Sequence, residues 1–169
     1  MTEVSDKWFD AYGGQTTEQL LALEGEYRTD SLVVAFEQAI QQKEAAGPIS
    51  KEERYVLAVE ALEREVNNGG YGQFFLNSSH EFVDVIGEAL AAIGCPKTAE
   101  LTRRAIQSLN IRDGVTGAKA EAVILADDEA VREALDACDA GYYDNDEPIA
   151  DRLFAWIREN EARVRVGGV

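Results

Sequence analysis

The chain reads as an all-α protein, a compact single-domain bundle of about eight helices, and three observations predict this. Apolar residues recur at helical spacing in each long segment. Capping residues and glycine or proline stops bracket those segments. No run keeps up the alternation of a strand, and no internal repeat is evident. With 169 residues, 46% of them hydrophobic and only 3 Pro, there is apolar surface enough for a core without disulfide or metal staples. A single helical domain over residues 1–162 is predicted, with residues 163–169 as a flexible C-terminal tail.

Taken in order, Thr16 or Thr17 ahead of Glu-Gln-Leu-Leu-Ala-Leu caps a short first helix, and Asp30 caps a second from Ser31 to about Ala46, where Gly47-Pro48 stops it. Ser50 and Glu53 form a capping-box pattern that opens a third. At 100° per residue, Tyr55, Val56, Val59, Leu62 and Val66 share one arc, so this helix turns an apolar stripe inward. It ends at Asn67-Asn68-Gly69-Gly70. Tyr71 to Asn77 is a short aromatic helix or turn, and Ser79 caps a helix over Phe82 to Ile93. Gly94-Cys95-Pro96 breaks that helix, with Pro96 placed to start the next through Leu109. Residues 110–118 read as a loop around Gly114 and Gly117, followed by helices from about Asp128 to Ala140 and from about Pro148 to Asn160.

Charge excludes whole classes of function. Thirty-two acidic against 16 basic side chains give a formal net charge of −16, which repels phosphate backbones and anionic lipid headgroups, so neither direct nucleic-acid binding nor membrane binding is expected. No run approaches the length of a membrane span, and Met1 to Asp10 lacks the apolar stretch of a signal peptide. Cys95 and Cys138 have no CxxC or histidine partner nearby and fit reduced thiols in a cytoplasm. No metal site, cofactor or catalytic residue is predicted, since phosphate-loop, nucleophile-elbow and zinc-helix patterns are all missing. Asp144-Asn145-Asp146-Glu147 does not complete a calcium loop.

The most particular stretch is Glu65-Val66-Asn67-Asn68-Gly69-Gly70, followed by Gln73-Phe74-Phe75 and Asn77. Asn and Gly accept positive φ cheaply, and Gln73 and Asn77 lie one helical turn apart, so this is a built corner between two helices. Its amides can satisfy the helix ends that abut there. Glu63 lies within the apolar arc and Glu65 at its edge, so either can be a partly buried carboxylate tied to those amides. The alternative is a polar ligand pocket or enzyme site around residues 63–80, with Glu63 or Glu65 as acid or base and His80 as the one further proton-transfer group. A surface or capping place suits His80 better.

These same residues carry a resemblance to a bacterial DNA-mimic family. It extends from about Leu32 to Asn160 and takes in Tyr142-Tyr143 and Ala155-Trp156-Ile157-Arg158-Glu159-Asn160. The resemblance implies an acidic interaction protein, forming a homodimer, whose partner is a DNA-binding protein with a basic surface. It carries over no contact residues position by position.

The charge itself is uneven. Residues 121–151 hold eleven acids against Arg132 alone, whereas Lys97, Arg103, Arg104 and Arg112 make residues 95–112 basic. On a helix from Asp128, the acids Asp128, Glu129, Glu133, Asp136 and Asp139 occupy one side, and Val131, Ala134, Leu135 and Cys138 the other, which buries Cys138. Acids one turn apart are about 5–6 Å from each other, which approaches the spacing of strand phosphates. With Asp144, Asp146 and Glu147 they form the candidate partner-binding face; the alternative is an ordinary solvated surface.

Overall fold

The computed structural model describes residues 5–168, so Met1 to Val4 and Val169, which fall in the predicted leaderless N-terminus and C-terminal tail, lie outside it. Among the described residues the protein is all-helical, with nine α-helices and no strand beyond an isolated Glu24–Tyr27 bridge. Packing groups the chain into two compact units. One comprises the residues up to Glu60 together with those from Pro148 onward, and the other runs Ala61–Glu147.

The first unit is built from α1 (Thr17–Leu21), α2 (Thr29–Ala46), the opening turns of α3 (Lys51–Asn77) and α9 (Ile149–Glu159). Thr16 caps α1 through a complete capping box with Gln19. The α2 cap is Arg28 rather than Asp30; Asp30 falls in the first turn, where its carboxylate accepts from the Ser31 N–H and from Arg28. The Ser50–Glu53 capping box is realised in both directions, at 3.0 and 2.9 Å. Helices α2 and α9 pack together, Phe36 meeting Phe154 edge-on with centroids 6.4 Å apart.

The predicted flexible tail is instead part of this core. Val164 and Val166 are buried, the Arg165 N–H donates to the carboxylate of the buried Glu53, and Thr17 is joined to Val164 and Val166 by hydrogen bonds from both directions. Lys43 closes the group, its ammonium 2.6 Å from Glu53. In the Arg-Val-Arg-Val run Val164 and Val166 turn inward while Arg163 and Arg165 stay exposed, and the buried valines with these hydrogen bonds hold the segment.

The second unit holds the rest of α3 and α4 (Ser79–Phe82), α5 (Ile86–Ala92), α6 (Pro96–Ser108), α7 (Gly117–Leu125) and α8 (Glu129–Tyr143). Helix α6 packs against both α5 and α8, and α4 against α7. Two glycines permit these approaches: a Cβ at Gly141 would meet Leu101 Cδ2 at 2.7 Å, and one at Gly117 would meet the His80 backbone N at 2.5 Å. The helix predicted over Phe82 to Ile93 is divided at Val83–Val85, and Ser79 does not cap it. Ser79 is buried and donates its hydroxyl back to the Phe75 carbonyl. Helix α7 is additional to the predicted elements, capped by Thr116, which accepts from the Lys119 N–H.

Candidate functional site

The corner of α3 turns on two residues. Asn67 and Asn68 stay helical, Gly69 is extended at φ −162°, and Gly70 adopts φ 77°, a left-handed value that only glycine takes cheaply. A Cβ at Gly70 would also lie 2.7 Å from the Asp139 carboxyl carbon, because the Asp139 carboxylate caps the restarted helix by accepting from the Tyr71 N–H at 2.8 Å. On the other side of the bend, Asn67 Nδ2 donates to the Glu63 carbonyl at 2.7 Å and the Tyr143 hydroxyl to the Val66 carbonyl at 2.6 Å. The bend therefore leaves these helix-end groups hydrogen-bonded rather than stranded.

Glu65, 8% exposed, is the hub of the amides that follow. Gln73 Nε2 donates to it at 2.7 Å and Asn77 Nδ2 at 3.0 Å, with Ser78 Oγ at 3.5 Å. Phe74, Phe75 and Tyr71 are fully buried beneath, and the Tyr71 hydroxyl pairs with Thr102 at 2.8 Å. Asn68 points outward and is exposed. Glu63 is half-buried, and burial raises its carboxyl pKa to about 7. His80 is exposed, its Nε2 2.7 Å from Glu121 on α7. Glu65, Gln73 and Asn77 are thus committed to one another, and Asn67 to the Glu63 carbonyl, as a structural corner requires.

The acidic residues divide by environment. Glu129, Glu133, Asp136, Asp144 and Asp146 are exposed on or just after α8; Asp128 is also exposed and caps the helix by accepting from the Val131 N–H at 3.1 Å. Asp146 is paired with Lys97 at 2.5 Å. Asp139 is half-buried, and burial raises its pKa against the opposing hydrogen bond from Tyr71. Glu147 serves α6: it accepts from the Lys97 and Thr98 N–H groups at 2.8 Å each and from the Thr98 hydroxyl at 2.7 Å. Burial pushes the Glu147 pKa up, but these hydrogen bonds outweigh it and hold the carboxyl below its ordinary value. Cys138 is buried as predicted, and burial raises its thiol pKa.

Beside this face lies a feature absent from the sequence reading. The second half of α3, the end of α7 and α8 line an open groove of about 570 Å³. Its floor is Leu76, Val123, Ile124, Val131 and Leu135, and its rim carries Asp127, Asp128, Asp136 and Asp139. Two of these five, Val123 and Ile124, come from α7, so the groove could not be assembled without that helix. Thr116-Gly117 followed by Ala-Lys-Ala-Glu-Ala-Val-Ile-Leu is the signal, a capped run of good helix formers behind two glycines.

Among the described residues no cluster of three or more His, Cys, Asp or Glu is placed to hold a metal ion, and no helix is long and apolar enough to cross a membrane. The described residues thus give a helical protein with a bent, amide-tied helix and a row of exposed carboxylates on α8. The chain belongs to the family of DMP19-like proteins, whose model matches residues 47–160, and this is the DNA-mimic family that the corner resembles. The match begins later than Leu32 and ends at the predicted Asn160. No curated protein and no solved structure matches the chain.

Proposed function

We propose that the protein is a non-enzymatic DNA mimic that binds a basic DNA-binding protein, a transcription regulator or nucleoid protein, and blocks its DNA site. The observation that carries this reading is the exposed carboxylate row of α8. Glu129, Glu133 and Asp136 recur at helical spacing on a rigid element, exposed to solvent and joined by Asp128 at its start and Asp144 and Asp146 just beyond its end. Carboxylates fixed on a helix present negative charge at defined intervals, which is what a phosphate-binding surface recognises. Asp139 and Glu147 belong to the same stretch but act mainly by holding α3 and α6 in place. The homodimer that the family resemblance implies would repeat this face on a second subunit, and two buried free thiols suit a cytoplasmic setting.

The polar corner supports this reading as scaffold. Glu65 accepts from the Gln73 and Asn77 amides, and Asp139 and Tyr143 on α8 hydrogen-bond the bend of α3 directly, so the corner fixes where the acidic helix stands. The test is capture of a DNA-binding protein from lysate by the immobilised chain. Capture that duplex DNA competes away and rising salt weakens supports mimicry; capture indifferent to both excludes it.

A further inference from the structure

The groove between α3, α7 and α8 is not explained by charge. Leu135 forms its buried base, Val123, Ile124 and Val131 are half-buried, and Leu76 is 36% exposed, so three elements direct apolar side chains into one open depression. Solvated helix faces scatter such residues, whereas converging ones mark a binding surface. The rim is acidic. Among its lining residues the single cation, Arg132, is tied to Asp127 at 2.7 Å and faces Asp128 and Asp136 as well, so four carboxylates at the mouth outnumber one guanidinium. A volume of about 570 Å³ takes several side chains rather than one.

We propose that this groove receives an amphipathic basic helix of the partner protein, its apolar side chains seated on Leu76, Val131 and Leu135 and its lysines or arginines against the Asp128 and Asp136 rim. Charge complementarity selects the basic character, and the apolar floor demands an apolar stripe between the charges. A helix is selected over an extended segment because the walls of the groove are helices. They offer no strand edge, so an extended chain would lose hydrogen bonds for its own N–H and C=O groups, whereas a helix brings those bonds with it. The proposal deepens the partner-binding reading above and rests on it only for there being a protein partner. It adds a contact that salt does not screen and that DNA itself cannot make.

The test uses the full chain and a fluorescein-labelled synthetic helix of about four turns with Leu at i, i+3, i+4 and i+7 positions and Lys between, against a control of equal charge with Ala in place of Leu. Fluorescence anisotropy should show the Leu peptide binding about tenfold more tightly than the control, with the preference persisting at about 0.5 M NaCl, where rim electrostatics are screened. Leu76→Asp and Val131→Asp should each abolish the preference, with circular dichroism showing an intact fold, and Trp8→Ala should not. Equal binding of the two peptides to the wild-type chain overturns the proposal without any variant. So does a preference that survives both groove variants, or a Leu76→Asp change that converts dimer to monomer while the peptide fails to compete, which would assign the groove to a second copy. Loss of the preference with DNA-competed capture intact removes the groove and leaves the acidic face standing; the converse keeps the groove and removes the mimicry.

Discussion

At Gly70 a left-handed backbone and a neighbouring carboxylate coincide, so this position tolerates substitution least. Gly70→Ala should destabilise the chain by about 1–3 kcal/mol, since it strains φ and displaces the Asp139 cap from the Tyr71 N–H. Asn68→Ala, on an exposed side chain outside the hydrogen bonds of the bend, should change stability by less than about 0.5 kcal/mol. Paired thermal melts distinguish the two. Glu63 gives a pH signature. Its carboxyl titrates near 4.5 in the unfolded chain and at about 7 in the fold. A raised folded value means that Glu63 favours the fold fully below pH 4.5, and that this contribution is lost as pH rises through about 7. Glu63→Gln should therefore stabilise the protein by about 1–3 kcal/mol at pH 8 and change little at pH 4, as read by melts across that range. The sequence made Glu63 and Glu65 legible as candidate buried carboxylates, because both fall on or beside the apolar arc. It could not separate them, since which one meets Gln73 and Asn77 depends on the direction α3 takes after Gly70.

Helix α6 starts with no side-chain cap of its own, and Glu147 supplies one from a distant point in the chain. Glu147→Gln or Glu147→Ala should cost about 1 kcal/mol near neutral pH. Because its folded pKa is depressed, the stabilisation is present above the unfolded value and fades as pH falls through the folded one, the opposite sense to Glu63. Melts of wild type and Glu147→Ala should converge in acid, and curves that stay parallel would exclude Glu147 as a charged cap. The elements whose signals are local were legible: a cap at Thr16 or Thr17, the Ser50–Glu53 capping box, Pro96 at the start of α6, and a helix opening near Asp128. The misread ones depend on distant contacts. Ser79 looks like a cap but donates to Phe75, and residues 163–166 look frayed but are held by Thr17 and Glu53 from much earlier in the chain. The missed α7 is what kept the groove out of view, because Val123 and Ile124 had no element to place them.

For the whole molecule, the proposed mimicry joins the net charge of −16 and the family of DNA mimics to the exposed carboxylates of α8. Fold class was legible because apolar periodicity and stops repeat throughout the chain. The acidic face was legible as a pattern but not as a surface: Asp139 and Glu147 share the pattern and serve as internal caps, while Glu129, Glu133 and Asp136 stand exposed. Single exposed carboxylates contribute little, so the decisive change is a combined one. The most direct measurement is the affinity of a captured DNA-binding protein for wild type and for the combined Glu129→Gln, Glu133→Gln and Asp136→Asn variant, titrated with NaCl and with duplex DNA. The account predicts that the variant folds normally, binds about tenfold or more weakly at low salt, and shows a shallower salt dependence, while duplex DNA displaces the partner from the wild-type chain. Unchanged affinity and salt slope in a folded variant would contradict it.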